Sequence, residues 1–222
     1  MPKLGEEFPN FEADTTKGKI NFHDWIGDQW AILFSHPADY TPVCTTEMAS
    51  MAQNADEFAK RNTKLIGLSV DSVESHKGWE KDVLSHCQCG GDGLPYPIIA
   101  DDKRELAVKF GMLDPDELDA EGMPLTARAV FIVGPDKKLK LSILYPATTG
   151  RSVAEILRVL DSLQLTAKHK VATPANWKVG DRVMVTPKVK KEDEATLFPK
   201  GVETKQVPSG KSYLRFTAQP DL

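Results

Sequence analysis

Residues 30–47 read WAILFSHPADYTPVCTTE, from Trp30 through Ser35, His36 and Pro37 to Thr41, Cys44 and Glu47. Trp30-Ala31-Ile32-Leu33-Phe34 is short and wholly apolar, with no polar alternation, so it reads as a strand buried on both faces. From Thr45 to about Arg61 the pattern changes to Met48, Met51, Ala52, Ala55, Phe58 and Ala59 at steps of three and four, one face of a helix of about four turns. A doubly buried strand running into an amphipathic helix is the unit of a layered α/β fold. Cys44 falls at the junction, three residues after a threonine.

The same alternation continues outward. Lys64-Leu65-Ile66-Gly67-Leu68-Ser69-Val70 reads as a second buried strand, and Asp71 with Glu74 as a capping box opening a helix toward Cys87. A Gly-rich loop, Cys89-Gly90-Gly91-Asp92-Gly93, precedes a third strand over Tyr96 to Ala100 and a short helix from Arg104 to Met112. Ala129 to Val133 and Leu139 to Tyr145 flank Gly134-Pro135-Asp136-Lys137-Lys138 as a hairpin. Ser152 with Glu155 opens a last helix whose buried face is Ile156, Leu157, Leu160, Leu163 and Leu165. Parallel units followed by an antiparallel hairpin and a helix describe a thioredoxin-like α/β fold. Past Ala167 prolines punctuate short segments such as Arg182-Val183-Met184-Val185 and Ser212-Tyr213-Leu214-Arg215-Phe216. The expected division is therefore a thioredoxin-like domain over 1–167 and a small C-terminal β-containing domain or arm over 168–222, too small to hold a good core by itself.

The 222 residues are 41% hydrophobic, enough for a core, and the net charge of −4 is spread along the chain. No basic stripe interleaved with aromatics is present, so a nucleic-acid footprint is not expected. No window approaches the ~18 apolar residues of a membrane helix, and the N-terminus lacks an apolar leader core, which gives a soluble cytoplasmic protein as the expectation. Three cysteines are an odd count and too few for a disulfide framework, so Cys44, Cys87 and Cys89 are expected as reduced thiols.

A cysteine in the first turn of a helix sits where unpaired backbone N–H groups and the macrodipole favour negative charge. Moving an ordinary thiol from a pKa near ~8.5 to ~6 takes about 3.4 kcal/mol of preferential stabilisation of the anion. The helix terminus supplies about 1 kcal/mol, rising to about 2 when partly buried, so a cation is expected nearby. Glu47 at +3 and Thr41 at −3 exclude a local dithiol. What remains is a solitary thiolate beside a hydroxyl, suited to attack on an O–O bond to give a sulfenic acid.

Pro37, Thr41 and Cys44 match the P-x-x-x-[T/S]-x-x-C pattern of the peroxiredoxins, and the chain most resembles the one-cysteine subgroup called peroxiredoxin 6. The segments that carry the resemblance are Phe34 to Pro37, Thr41 to Glu47, Leu113-Asp114-Pro115, Pro124 to Arg128 and Leu144 to Arg151, and it extends over essentially the whole chain. The resemblance implies that Arg128 is the cation beside a peroxidatic Cys44, with Thr41 and Arg128 stabilising charge on the leaving oxygen. It also implies a supporting shell of Arg151 and Glu47, shielding from water by Pro37, and His36 close enough to tune the site. Hydrogen peroxide and organic or phospholipid hydroperoxides are the implied substrates. The implied reductant is an external thiol such as glutathione, with a glutathione transferase as partner; no bound cofactor or metal is implied. A homodimer is implied too, with edge strands pairing across subunits and the C-terminal arm reaching over its partner.

Other readings stand beside these. A single cysteine near a helix start can be a small buried hydrophobe, and Thr41 a mere helix cap. His86-Cys87-Gln88-Cys89 invites a metal or a resolving role, but no second ligand pair is visible and the Val-Cys-Pro segment of two-cysteine peroxiredoxins is lacking. Members of the resembled subgroup have been credited with phospholipase A2 activity from a serine in Gly-Asp-Ser-Trp-Gly. Here that segment is Gly27-Asp28-Gln29-Trp30-Ala31, and the amide of Gln29 cannot act as an acyl nucleophile, although His23 and Asp136 persist. A thioredoxin-fold chaperone or redox-sensing adaptor is the rival from another class, separated by catalytic turnover with a supplied thiol.

Overall fold

The apolar run at Trp30 lies in the middle of the larger of two main sheets in the computed structural model, which describes residues 1–221. In chain order the first elements are β1 (Glu12–Thr15), β2 (Gly18–Asn21), α1 (Phe22–Ile26), β3 (Trp30–Ser35), α2 (Pro42–Gln53), α3 (Ala55–Lys60) and β4 (Thr63–Ser69). Then come α4 (Val73–Cys87), β5 (Ile98–Ala100), α5 (Glu105–Phe110), β6 (Leu113–Leu118), β7 (Pro124–Thr126), β8 (Arg128–Val133) and β9 (Leu139–Tyr145). After α6 (Val153–Lys168) follow β10 (Val171–Ala172), β11 (Val183–Val185), α7 (Glu194–Leu197), β12 (Val202–Thr204) and β13 (Arg215–Thr217).

Seven strands form the order β2-β1-β5-β4-β3-β8-β9. β3, β4 and β5 are parallel, with Trp30 opposite Thr63 and Gly67 opposite Ile98, as crossover helices require. β8 runs antiparallel to β3 and returns through the expected hairpin to β9. Every residue of β3 and β8 is buried, whereas β9 alternates as a half-exposed edge strand does. The core on this sheet is dominated by aromatics, Phe8, Phe11, Phe22, Phe110 and Phe131, packed with Ile66, Leu68 and Ile99. This is the thioredoxin-like arrangement that the alternation of strands and helices implies.

Several expectations are corrected. The single helix from Thr45 to Arg61 is two, divided at Asn54, whose side-chain amide donates to the Ser50 carbonyl at 2.8 Å and so competes with the helical ladder. The helix toward Cys87 is capped by Ser72, whose hydroxyl accepts from the Ser75 N–H; Asp71 instead accepts from the Asp39 N–H and the Ser69 hydroxyl. The β1–β2 and β6–β7 hairpins have no counterpart in the sequence reading, since both are largely polar or half-exposed. Cys87 and Cys89 are joined to each other, and Cys44 is the free thiol, so the expectation of three reduced cysteines does not hold. The left-handed turn at Gln88 brings the two Cα atoms to 5.2 Å, within bonding range.

The chain divides into two compact units, Met1–Val153 and Ala154 onward, so α6 groups with the second unit instead of falling before a boundary at Ala167. That unit carries an antiparallel sheet in the order β10-β11-β13-β12. Its own core gathers Leu165, Val171, Trp177, Val183, Val185, Val189 and Phe198, so α6 supplies apolar surface that the strands alone lack.

Candidate active site

The C-terminal end of β3 and the start of β8 meet because the two strands are antiparallel, and α2 begins just beyond that edge. The loop between β3 and α2 is pinned from both sides. The Ser35 hydroxyl donates to the Ala127 carbonyl at 2.6 Å and accepts from the Ala129 N–H at 3.0 Å, and the Thr126 hydroxyl donates to the His36 carbonyl. Pro42 at the first helical position fixes the entry into α2, where its missing N–H costs nothing. The first turn of α2 is held against α4 by the Trp79 indole N–H, which donates to Thr45 Oγ1 at 3.2 Å.

Cys44 lies in that first turn and is fully buried. Arg128 Nη1 donates to its sulfur at 3.2 Å and to Glu47 Oε2 at 2.6 Å. Arg128 Nε and Nη2 both grip the Ala147 carbonyl, at 2.9 and 2.6 Å, which fixes the plane of the guanidinium. Glu47, one turn after Cys44 on the same face of α2, is held by a second arginine. Arg151 donates through Nε to Oε1 and through Nη2 to Oε2, both at 2.9 Å, and its backbone N–H adds 2.7 Å to Oε1. Burial opposes ionisation of Glu47, but Arg151 and then Arg128 outweigh it and hold the carboxyl below the usual carboxylate range. Phe34 offers its face to Arg151 at 5.6 Å.

Thr41 occupies the N-cap position of α2 with an extended backbone, yet its hydroxyl makes no capping bond. It donates to the Ala38 carbonyl at 2.9 Å, so its lone pairs remain available beside the sulfur-bearing turn. Thr41 and Val43 are half-buried and Pro37 is buried, all in the β3–α2 loop and first helical turn that carry Cys44. All four residues expected to do the chemistry, Cys44, Thr41, Arg128 and Pro37, thus belong to one locality, together with Glu47 and Arg151.

His36 is also buried there, but its partner is acidic. Its Nε2 lies 2.8 Å from Asp39 Oδ1, and the other oxygen of Asp39 lies 2.8 Å from His76 Nδ1 and accepts from the Ser75 hydroxyl at 2.7 Å. His76 Nε2 in turn faces the Ile99 carbonyl at 3.1 Å. His36 Nδ1 has no partner among the described residues. Burial lowers the His36 pKa despite the attraction of Asp39. Asp39 is pushed the same way: burial raises it, but the hydrogen bonds from His36 and His76 prevail and leave it well below the usual carboxylate range. Asp39, Ser75 and His76 are absent from the sequence reading because no motif spacing marks them; only the fold brings α4 beside the β3–α2 loop.

His36, Asp39 and His76 are the described residues whose ligand atoms could surround a metal ion. Both carboxylate oxygens of Asp39 are already engaged by the two imidazoles and Ser75, so an ion would have to displace those bonds.

A buried cysteine at a helix start, bonded by an arginine that a glutamate and a carbonyl hold in place, on a thioredoxin-like sheet, defines a thiol peroxidase centre. Residues 4–142 match the AhpC/TSA family and residues 162–199 match the C-terminal domain of 1-Cys peroxiredoxin. The chain belongs to the peroxiredoxin family. Within it the chain falls in the one-cysteine peroxiredoxin 6 subgroup. It is 66% identical to peroxiredoxin-6 of Gallus gallus over 222 residues, 98% of each chain. It is 63% identical to peroxiredoxin-6 of Homo sapiens over 218 residues, covering 98% of this chain and 97% of that one. A crystal structure of a cysteine-to-serine mutant of peroxiredoxin 6 of Arenicola marina superposes with a TM-score of 0.97 at 63% identity, covering all of both chains. Yeast mitochondrial 1-Cys peroxiredoxin, studied for thiol resolution via glutathione/thioredoxin systems, gives 0.87 at 44% identity, over 98% of this chain and 100% of that one.

Proposed function

We propose that this thiol peroxidase reduces hydrogen peroxide and organic hydroperoxides, phospholipid hydroperoxides included, through a sulfenic acid on Cys44 that an external thiol resolves. The carrying observation is the 3.2 Å bond from Arg128 to the Cys44 sulfur at the start of α2. Arg128 and the helix terminus favour the thiolate. The thiolate attacks the terminal peroxide oxygen, the O–O bond breaks, and the leaving alkoxide takes a proton to depart as alcohol or water. The Thr41 proton is committed to the Ala38 carbonyl, so Thr41 accepts from the hydroperoxide O–H instead of stabilising the leaving oxygen as the resemblance implies, and Arg128 donates to the oxygen on which charge accumulates. Pro37 keeps water from the sulfur.

A first external thiol then condenses with Cys44–SOH, releasing water and leaving a mixed disulfide; a second thiol frees Cys44 and leaves as a disulfide. Glutathione, delivered with a glutathione transferase, is the proposed reductant, and no bound cofactor takes part. The proposed setting is the reducing cytoplasm. A homodimer formed through β9 is part of the same reading. β9 is the last strand of its sheet; the N-terminal segment bonds its first residue, Leu139, through Gly5 and Glu6, and Leu144 farther along is 55% exposed. Serine-type phospholipase activity is not expected: the Gln29 amide donates to Asn62 at 2.7 Å, His23 Nε2 lies 2.7 Å from the Phe8 carbonyl, and Asp136 pairs with Lys140. Ester turnover by the pure Cys44→Ala protein would contradict this.

Mass spectrometry after one equivalent of peroxide tests the main reading. A single oxygen on Cys44 followed by repeated turnover with glutathione is the expected result; one stoichiometric burst without turnover would favour the redox-sensing adaptor.

A further inference from the structure

Cys87 ends α4 and Cys89 follows it by two residues, the pair closed as a disulfide beside a loop of Gly90, Gly91 and Gly93. We infer that this pair is a second redox centre, a dithiol–disulfide couple that exchanges with low-molecular-weight thiols independently of Cys44.

A structural staple is a poor description of it. A cross-link stabilises by restricting the unfolded chain, and the effect grows with the loop closed; joining residue i to i+2 restricts almost nothing. The backbone already holds the two cysteines together without the bond. Gln88 takes the left-handed conformation, φ 55° and ψ 31°, its N–H donates to the Ser85 carbonyl at 3.3 Å, and the Cys89 N–H donates to the Leu84 carbonyl at 3.2 Å. This helix-ending turn survives reduction, so the thiols stay poised to close again. The two sulfurs also differ in access. Cys87 is 6% exposed, whereas Cys89 is half-buried between exposed Gln88 and Gly90. Attack therefore falls on Cys89.

The exchange balances with two monothiols. A thiolate attacks the Cys89 sulfur, forming a mixed disulfide as the Cys87–Cys89 bond breaks, and Cys87 leaves with the electron pair and takes a proton from water. A second thiolate attacks the external sulfur of the mixed disulfide, releasing the small disulfide and the Cys89 thiol. Two electrons pass from two thiols to the pair, and a small disulfide reverses both steps.

The couple is separate from the peroxidatic cycle by distance. The peroxidatic cysteine lies in the first turn of α2, while the Gln53 amide at its other end donates to the Cys87 carbonyl at 3.1 Å. About nine residues of helix, roughly 14 Å of rise, stand between. Cys87 cannot reach a Cys44 sulfenic acid across that length.

Full-length Cys44→Ser protein, equilibrated in glutathione buffers from fully reduced to fully oxidised, then acid-quenched, alkylated and weighed, provides the test. The expected result is one transition within the series, with two alkylated cysteines appearing together as reduced glutathione rises. A pair that stays bonded in excess reduced glutathione, or stays as two thiols in excess glutathione disulfide, overturns the inference. Two variants in that background locate the attacked sulfur. With Cys87→Ser, Cys89 takes up glutathione from its disulfide at least tenfold faster than Cys87 does with Cys89→Ser; equal rates would overturn the assignment to Cys89.

Discussion

Cys44 and the Cys87–Cys89 pair sit at opposite kinds of helix end. Cys44 lies in the first turn of α2, fully buried, at the positive end of the helix dipole and with a fixed guanidinium bonded to its sulfur. Cys87 closes α4, where the negative end of the helix dipole disfavours an anion, and its partner is a neighbouring sulfur with no cation bonded to it among the described residues. The same side chain is thus the proposed nucleophile at one end and half of a covalent pair at the other. Helix polarity and the first charged neighbour decide which.

The largest effect expected at the first site comes from Cys44→Ser, which should cut peroxide consumption by stopped flow at least about a thousandfold. An undiminished rate constant would move the nucleophile to the other cysteines and erase the contrast. Arg128→Lys keeps the charge but loses the fork that spans sulfur, Glu47 and Ala147; a fall of about a hundredfold in the peroxide rate constant is expected, with folding retained. Glu47→Gln leaves two buried guanidinium groups without their carboxylate and should cost about 3 kcal/mol in urea unfolding.

Acidification supplies a comparison within the site. Asp39 and Glu47 have folded pKa values below their unfolded ones, so their stabilisation is present above about pH 4.5 and is lost as pH falls through the folded values. His36 is lowered from 6.5, so the unfolded chain binds its proton first and stability already declines as pH drops below about 6.5. A lower urea midpoint at pH 5 than at pH 7 is expected, and Asp39→Asn should change that difference. The smallest effect belongs to Gln53→Ala, about 1 kcal/mol, read as faster amide exchange at the end of α4 with the peroxide rate nearly unchanged.

How far the sequence speaks depends on whether a residue's role is set locally. β3, β4 and β8 are plain in the sequence because burial on both faces writes a largely apolar run, whereas the place of Glu47 in the site comes only from the family resemblance. Arg128 and Arg151 are far from Cys44 in the chain, and only family resemblance ties them to it. Asn54 hides the break between α2 and α3 because Ala55 and Phe58 continue the apolar step on the far side of it. Ser72 and Asp71 are both capable caps, and the choice between them rests on Asp39, which needs the Asp71 carboxylate for its own N–H. His76 is invisible as a site residue until the fold sets α4 against the loop before Cys44. The bond between Cys87 and Cys89 turns on a left-handed residue at 88 that no periodicity announces.

Glu47 accepts from both arginines at once, through both of its oxygens. Positions 47, 128 and 151 are consequently a single heritable unit: any one substituted alone strands charge in the interior, and a descendant chain can replace the trio only by passing through a form that is poorly folded, poorly active or both.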